Sequence, residues 1–124
     1  MIADAGIQPV IIGGKAETAL AAKLAVVEPR IKNLTGQTDL FQIVTLAQSA
    51  AFVVGNDTGP MHMATLAGCP GVALFATDES DPAKAAPRGG QVIICKAPVL
   101  DQISVEDVWQ AVRMVSGLSE RKPA

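Results

Sequence analysis

Residues 52–62 decide the fold, and they read Phe-Val-Val-Gly-Asn-Asp-Thr-Gly-Pro-Met-His. The apolar start, Phe52–Val54, predicts a short buried strand, and the glycine- and asparagine-rich run after it predicts a tight loop. Pro60 suits the first turn of a helix, because a proline there removes an N–H that would have no intrahelical acceptor. We therefore predict a strand, a loop and a helix from Met61 to Ala67 that ends at Gly68.

The same alternation of strand and helix patterns runs along the whole chain. Short apolar runs predict further strands at Pro9–Ile12, Ile31–Leu34, Gly71–Phe75 and Val92–Cys95. Helical patterns run from Lys15 to Val27, from Asp39 onward, and from a Ser104 cap to about Val115, and a polar loop covers residues 76–90. Such alternation is typical of βαβ units. It predicts an α/β fold, a Rossmann-like parallel sheet with helices on both faces, in one domain over residues 1–118 with a tail at 119–124.

The composition excludes several classes of function. The chain has 124 residues, 49% of them hydrophobic and 3% aromatic, and a formal net charge of -2. A nucleic-acid partner is not expected, because there is neither a basic stripe nor a set of aromatic residues on which bases could stack. No apolar run approaches the roughly 20 residues that a membrane-spanning helix needs. Cys69 and Cys95 lack metal-ligand spacing, which favours buried, reduced thiols in a cytoplasmic protein.

The loops that follow the predicted strands are the candidate binding region. In parallel α/β sheets, ligands bind outside the carboxyl ends of the strands. The loop at residues 55–59 also opens a helix, whose first N–H groups and partial positive charge favour a phosphate. A purely structural interpretation stays open here, in which Asp57 or Thr58 only caps the helix.

Several blocks of the sequence resemble one enzyme family. Residues 57–64 read Asp-Thr-Gly-Pro-Met-His-Met-Ala and, with Pro70 after them, resemble the D-T/S-G-x-x-H-x-A-x-x-x-x-x-P signature of glycosyltransferase family 9, which includes the ADP-heptose:lipopolysaccharide heptosyltransferases. Residues 34–40 are similar to the family's L-x-G-x-T-x-L segment, and Gly13-Gly14 with Glu17 resembles its G-G-x-x-E turn. The resemblance extends from Pro9 to about Val115, with its blocks in the family's order.

The resemblance implies that the chain binds the sugar donor, a nucleotide diphosphosugar such as ADP-heptose. Thr58 and Gly59 would hold the donor pyrophosphate, and Asp57 would orient the loop or contact the sugar. His62, the one histidine of the chain, would bind a phosphate or sugar oxygen, although a structural histidine beside a helix is the alternative.

A second group of residues would belong to the same donor site. The resemblance implies that Glu17 accepts hydrogen bonds from the ribose hydroxyls, a role that suits an ionised carboxylate. Gly14 and Lys15 would line the same mouth. No metal and no cofactor are expected, because no carboxylate cluster has metal-ligand spacing.

The resemblance also implies a partner half that this chain lacks. Family members have two Rossmann-like halves in the GT-B arrangement, with the acceptor site and the catalytic carboxylate base in the N-terminal half. We therefore expect no catalytic residue in this chain and donor binding without turnover. The whole protein would transfer sugar with inversion to a lipopolysaccharide-type acceptor, at the inner face of the bacterial inner membrane. Surface that the other half normally covers would favour self-association into a homo-oligomer.

One segment departs from the family pattern. Many relatives follow the fourth strand with F-G-x-T-x-P, whereas residues 75–82 read Phe-Ala-Thr-Asp-Glu-Ser-Asp-Pro. This acidic run either defines a pocket for a different donor or is simply solvated. It therefore bears on whether the donor sugar is a heptose, and much less on the fold.

Two other functions fit parts of the pattern. In a phospho-receiver signalling domain, Asp57, Thr77 and Lys96 would each follow a strand as that family's phosphorylated Asp, Thr and Lys do. Such a domain also needs an acidic pair after the first strand, where this chain has Gly13-Gly14. A noncatalytic nucleotide-binding module is the other alternative, and it differs from the transferase only in what the missing half does.

Overall fold

The computed structural model describes residues 2, 6–56, 58–78 and 91–116. The strands are β1 (Val10–Ile11), β2 (Lys32–Asn33), β3 (Val53–Asn56), β4 (Gly71–Ala76) and β5 (Val92–Ala97). The helices are α1 (Thr18–Val27), α2 (Leu40–Ser49), α3 (Gly59–Leu66) and α4 (Val105–Ser116), with short 3-10 helices at Lys15–Glu17 and Leu100–Gln102. The predicted α/β class is confirmed, and the tail expected at 119–124 lies outside the described residues.

The chain divides into two compact units between Gln42 and Ile43. In the first unit, β1 and β2 form a two-stranded parallel sheet in which Val10 is opposite Lys32. In the second unit, β3, β4 and β5 form a three-stranded parallel sheet in that order. The strands therefore form two parallel sheets, one in each unit, where the sequence predicted one.

The three-stranded sheet carries helices on both faces, as the sequence predicted. Successive residues of a strand point to opposite faces. On one face, Val72 packs against Ala111, Val112 and Val115 of α4. On the other, Ala73 and Phe75 pack with Met61 of α3. All four of the apolar residues Val72, Ala73, Phe75 and Val112 are at most 1% exposed, so β4 is the centre of the second unit.

Local capping interactions fix where the helices begin and end. The backbone N–H of Gln42 donates to Oδ1 of Asp39 at 2.8 Å, and the N–H of Asp39 donates to Oε1 of Gln42 at 2.9 Å. This reciprocal pair starts α2 at the predicted place. The N–H of Asp107 donates to Oγ of Ser104 at 3.0 Å, which starts α4 as the sequence predicted.

A glycine ends α3 in the predicted way. Gly68 has a φ of 95°, in the left-handed region that favours glycine. The Gly68 N–H donates to the Thr65 carbonyl at 3.0 Å, and the Cys69 N–H donates to the Ala64 carbonyl at 3.2 Å. These two bonds form a Schellman motif, which satisfies the last carbonyls of α3.

Candidate binding site at the strand ends

The second unit presents Thr58 and the start of α3 at the carboxyl end of β3. β3 ends at Asn56, and Thr58 has an extended backbone with φ -138° and ψ 159° just before the first helical residue, Gly59. Pro60 is the second residue of α3 and has no N–H, so Gly59 and Met61 supply the N–H groups of the first turn. The first N–H groups of a helix have no intrahelical acceptor, and this turn can therefore donate to an anion.

Thr58 is in the N-cap position but does not cap the helix with its side chain. The structure gives it no side-chain cap hydrogen bond, and the residue is exposed. The interpretation in which Thr58 serves only as a side-chain cap is therefore wrong. Asp57, the other residue expected to contact the donor or cap the helix, lies outside the described residues, and its role stays a prediction.

Gly59 is exposed, and its backbone does not need glycine. Gly6, Gly36 and Gly68 are the glycines with positive φ in the described part of the chain. A Cβ built on Gly59 would meet no described atom within 4 Å beyond its immediate neighbours. The described residues thus leave room for a side chain at Gly59, and close approach of a ligand to the backbone is one reason to keep that room empty.

His62 lies one turn into α3. Its backbone N–H donates to the Thr58 carbonyl at 3.1 Å, the first regular bond of the helix, and the residue is half-buried. Residues four apart lie on the same side of a helix, which puts His62 on the side of α3 that begins at Thr58. The structure thus brings Thr58, Gly59 and His62 together around one helix start.

The first turn of α3 is held firmly against the sheet by Met61. Met61 is 2% exposed, and its side chain covers two glycines of the strands beneath. A Cβ on Gly55 would come 3.3 Å from the Met61 sulfur, and a Cβ on Gly71 would come 3.0 Å from its terminal methyl group. A rigid support of this kind keeps the backbone donors in place.

The neighbouring strands end at the same edge of the sheet. The Thr77 N–H donates to the Ala97 carbonyl at 2.8 Å, and the Asp78 N–H donates to the Pro98 carbonyl at 3.1 Å, so the pairing continues just past β4. Thr77 and Asp78 are both exposed. They stand at the departure from the family pattern, whose remaining residues, 79–82, lie outside the described residues. The sequence raised Thr77 only under the receiver interpretation, although the strand-end rule also points to it.

The first unit holds the other predicted site residues. Gly14 precedes the 3-10 helix that contains Lys15 and Glu17, and all three residues are exposed. The Glu17 N–H donates to the Gly14 carbonyl at 3.1 Å. The Glu17 carboxylate lies over the same turn, because its Oε2 is 3.3 Å from the position of a Cβ on Gly14. The sequence predicted one helix from Lys15, but a separate 3-10 turn precedes α1.

A second loop joins this turn at the ends of β1 and β2. The Gly36 N–H donates to the Gly13 carbonyl at 2.7 Å, and Gly36 has a φ of 71°. A Cβ on Gly36 would lie 3.4 Å from Cγ of Lys15. The first unit therefore places Gly14, Lys15 and Glu17 beside the loop at Thr35-Gly36.

The cysteines are poor candidates for a nucleophile at either place. Both are free thiols, and Cys69 is buried. Burial raises the pKa of the Cys69 thiol, and burial together with the Asp107 carboxylate raises the pKa of Cys95. Thiols with a raised pKa are poor nucleophiles at neutral pH. None of the helices that the structure describes has the length and apolar character required to cross a bilayer.

Fold and site together define a parallel α/β protein with its candidate ligand contacts at strand carboxyl ends and at one helix N-terminus. The model of the family "Glycosyltransferase family 9 (heptosyltransferase)" matches residues 1–108, and the chain belongs to that family. None of the curated proteins matches the chain at a significant level.

The solved structures similar to this chain include two that cover more than nine-tenths of it. One is the glycosyl transferase family 9 from Veillonella parvula DSM 2008, with a TM-score of 0.82 and 23% identity over 92% of this chain and 38% of that one. The other is the E. coli ADP-heptose lps heptosyltransferase II, with a TM-score of 0.80 and 23% identity over 93% of this chain and 38% of that one. They confirm the fold, and this chain spans 38% of the length of each. Family membership favours the transferase interpretation over the phospho-receiver one.

Proposed function

We propose that this chain is the donor-binding part of an inverting glycosyltransferase, which transfers a sugar from a nucleotide diphosphosugar to a lipopolysaccharide-type acceptor. In this proposal the donor diphosphate lies at the start of α3. The backbone N–H groups of Gly59 and Met61 and the Thr58 hydroxyl donate to its oxygens, and the helix dipole adds a favourable potential. His62 contacts a phosphate or sugar oxygen.

One observation carries the proposal: α3 begins at exposed residues, and the Thr58 side chain does not cap its first turn. Thr58 is exposed, its side chain does not cap the helix, and the space beside Gly59 is clear of described protein atoms. A turn that served only to reverse the chain would gain about 1 kcal/mol from a capping hydroxyl. Because the Thr58 hydroxyl makes no cap hydrogen bond, it can donate to a ligand.

The nucleoside end of the donor is assigned to the first unit. We propose that Glu17 accepts hydrogen bonds from the ribose hydroxyls and that Gly14 and Lys15 line the mouth of the donor site. The support is local, since Gly14, Lys15 and Glu17 share one turn and are exposed. The donor sugar is proposed to be a heptose, as in the printed name of the E. coli neighbour.

The remaining machinery is assigned to a partner half. This chain spans 38% of each similar structure, and we propose that an acceptor-binding half of the parent protein supplies the carboxylate base. A general base must lie within hydrogen-bond reach of the hydroxyl that it activates. We therefore expect this chain alone to bind donor nucleotide without meaningful transfer.

Calorimetric titration of the chain with ADP, UDP and GDP tests the proposal. We expect saturable 1:1 binding of at least one diphosphate, unchanged by EDTA, with weaker binding by Thr58→Ala and Glu17→Ala. Ser49→Ala is a matched control for the loss of a hydroxyl, because this exposed residue ends α2 just before the amino end of β3, at the opposite end of that strand from Thr58. Equal affinity in the wild type and both site variants would remove the site assignment. No binding of any diphosphate would remove the proposal itself.

A further inference from the structure

We propose that Asn33 is a positioning residue of the donor site, acting through the loop at Thr35-Gly36 to hold Lys15 in place. The inference rests on the proposed function, because it assigns Lys15 to the donor site. Asn33 lies outside the sequence motifs that resemble the family. It is half-buried at the last position of β2, where its side chain organises the loop that follows.

The Asn33 side chain accepts two hydrogen bonds from the same residue. Its Oδ1 lies 3.0 Å from the Thr35 backbone nitrogen and 2.6 Å from the Thr35 hydroxyl. Thr35 is 5% exposed, so water cannot readily replace this acceptor. A buried donor that loses its partner carries the full cost of desolvation. The conformation of the loop therefore depends on the side-chain amide oxygen of Asn33, Oδ1.

The next residue transmits this constraint to the turn after β1. Gly36 takes a φ of 71° and donates its N–H to the Gly13 carbonyl at 2.7 Å. This bond links the loop after β2 to the Gly13-Gly14 turn, which leads directly into Lys15.

Gly36 also forms the surface on which Lys15 lies. The Lys15 Cγ is 3.4 Å from the position of a Cβ on Gly36, and the Lys15 Cα is 3.9 Å from it. The aliphatic stem of Lys15 thus packs over a glycine of the loop that Asn33 organises. If the loop relaxes, Lys15 loses the contact that orients its stem, and its ammonium loses a defined position.

Amide hydrogen exchange in the ligand-free protein tests the positioning directly. In Asn33→Ala we expect the Gly36 amide to exchange at least about tenfold faster. The variant loses both hydrogen bonds from Thr35 to Asn33, and the loop is then expected to open more often. Asn33→Asp keeps the acceptor oxygen and should restore protection. Thr35→Val removes only the hydroxyl and should give an intermediate rate, and it serves if Asn33→Ala does not fold. Unchanged Gly36 protection in both Asn33→Ala and Thr35→Val would overturn the inference.

ADP affinity in a double-mutant cycle tests the link to Lys15. We expect Asn33→Ala and Lys15→Met each to weaken ADP binding by about tenfold, and the two together to weaken it little more than either alone. Asn33→Asp should bind like the wild type. If the wild type binds ADP and the two losses multiply, Asn33 does not act through Lys15 and the inference fails. If the wild type binds no diphosphate, the proposed function fails, whereas the exchange experiment still decides whether Asn33 positions the loop.

Discussion

Gly71 lies directly beneath Met61, so that a Cβ on Gly71 would come within 3.0 Å of the Met61 methyl group, 3.1 Å of Cγ2 of Thr65 and 3.2 Å of Cγ1 of Val53. The first residue of β4 and the first turn of α3 are thus fitted to each other without spare volume. Because α3 also begins the candidate site, this contact couples the packing of the sheet to the position of the backbone donors.

Replacing Gly71 by alanine should destabilise the protein. The added methyl group has to displace Met61 or Thr65, and overpacking of this kind costs about 1–3 kcal/mol. Urea denaturation followed by circular dichroism measures the change in the free energy of unfolding. A Gly71→Ala variant as stable as the wild type would show that α3 can shift freely on the sheet.

Gly59→Ala should weaken ligand binding without lowering stability, unlike Gly71→Ala. The backbone of Gly59 is not in the left-handed region, and no described atom obstructs a methyl group there, so we expect stability to be unchanged or raised by up to about 1 kcal/mol. Diphosphate binding should weaken at least about tenfold, because the methyl group separates the phosphate from the helix N–H groups, and each hydrogen bond to a charged group contributes about 1.5–3 kcal/mol. Calorimetric titration with ADP measures the effect on binding, and urea denaturation of the same variant measures the effect on stability. Full ADP affinity in Gly59→Ala would place the diphosphate elsewhere.

Thr58 offers a matched pair of substitutions. Thr58→Ala removes the hydroxyl and should weaken ADP binding by about tenfold, while Thr58→Ser keeps it and should bind like the wild type. Since the hydroxyl makes no cap hydrogen bond in the structure, both variants should unfold at the wild-type urea midpoint. A loss of about 1 kcal/mol of stability in Thr58→Ala alone would instead indicate a capping role.

Gly68→Ala is a control for stability effects at the other end of α3. The positive φ of Gly68 costs a residue with a side chain about 1–2 kcal/mol. We expect a lower urea midpoint with ADP affinity unchanged under native conditions. A marked loss of affinity would mean that binding reports the general stability of α3 rather than contacts at its first turn.

Stability should fall at alkaline pH because of the thiols. Burial raises the pKa of Cys69 above its ordinary value of 9.0, so the native state keeps this proton at a pH where the unfolded chain releases it. The contribution is therefore fully present below pH 9 and is lost as the pH rises through the folded pKa. Urea denaturation at pH 7 and pH 10 should show a smaller difference for Cys69→Ala than for the wild type. An equal difference in both proteins would assign the alkaline slope to other groups.

Local signals in the sequence predicted the helix boundaries better than the strand ends. Asp39, Ser104 and Gly68 mark helix ends through hydrogen bonds between residues a few positions apart, so the signals are visible in the local sequence. The sequence predicted that β3 stops at Val54, whereas it continues to Asn56 because Gly55 and Asn56 pair with Ala73 and Leu74. Pairing with β4 likewise extends β5 to Ala97. Ladder partners are distant in sequence, so local propensity cannot supply them.

The sequence predicted which residues of the candidate site lie together, and it predicted fewer of their local contacts. The strand-end rule and the family motif identified Thr58, Gly59 and His62 at one helix start, and Gly14, Lys15 and Glu17 at another turn. The sequence did not predict the role of Asn33, although an Asn side chain often accepts a hydrogen bond from the backbone N–H two residues further on. That pattern is common in loops, and only the burial of Thr35 and the position of Gly36 make it informative here.

The alternation along β4 has a consequence for how this family can vary in length. Val72 faces α4 while Ala73 and Phe75 face α3, so deleting one residue inside the strand would rotate every later side chain to the wrong layer. Insertions and deletions among descendants of this protein should accordingly accumulate at the edge where the strands give way to loops, which is also where the donor is proposed to bind. Ligand preference can then diverge while the layered interior is inherited intact.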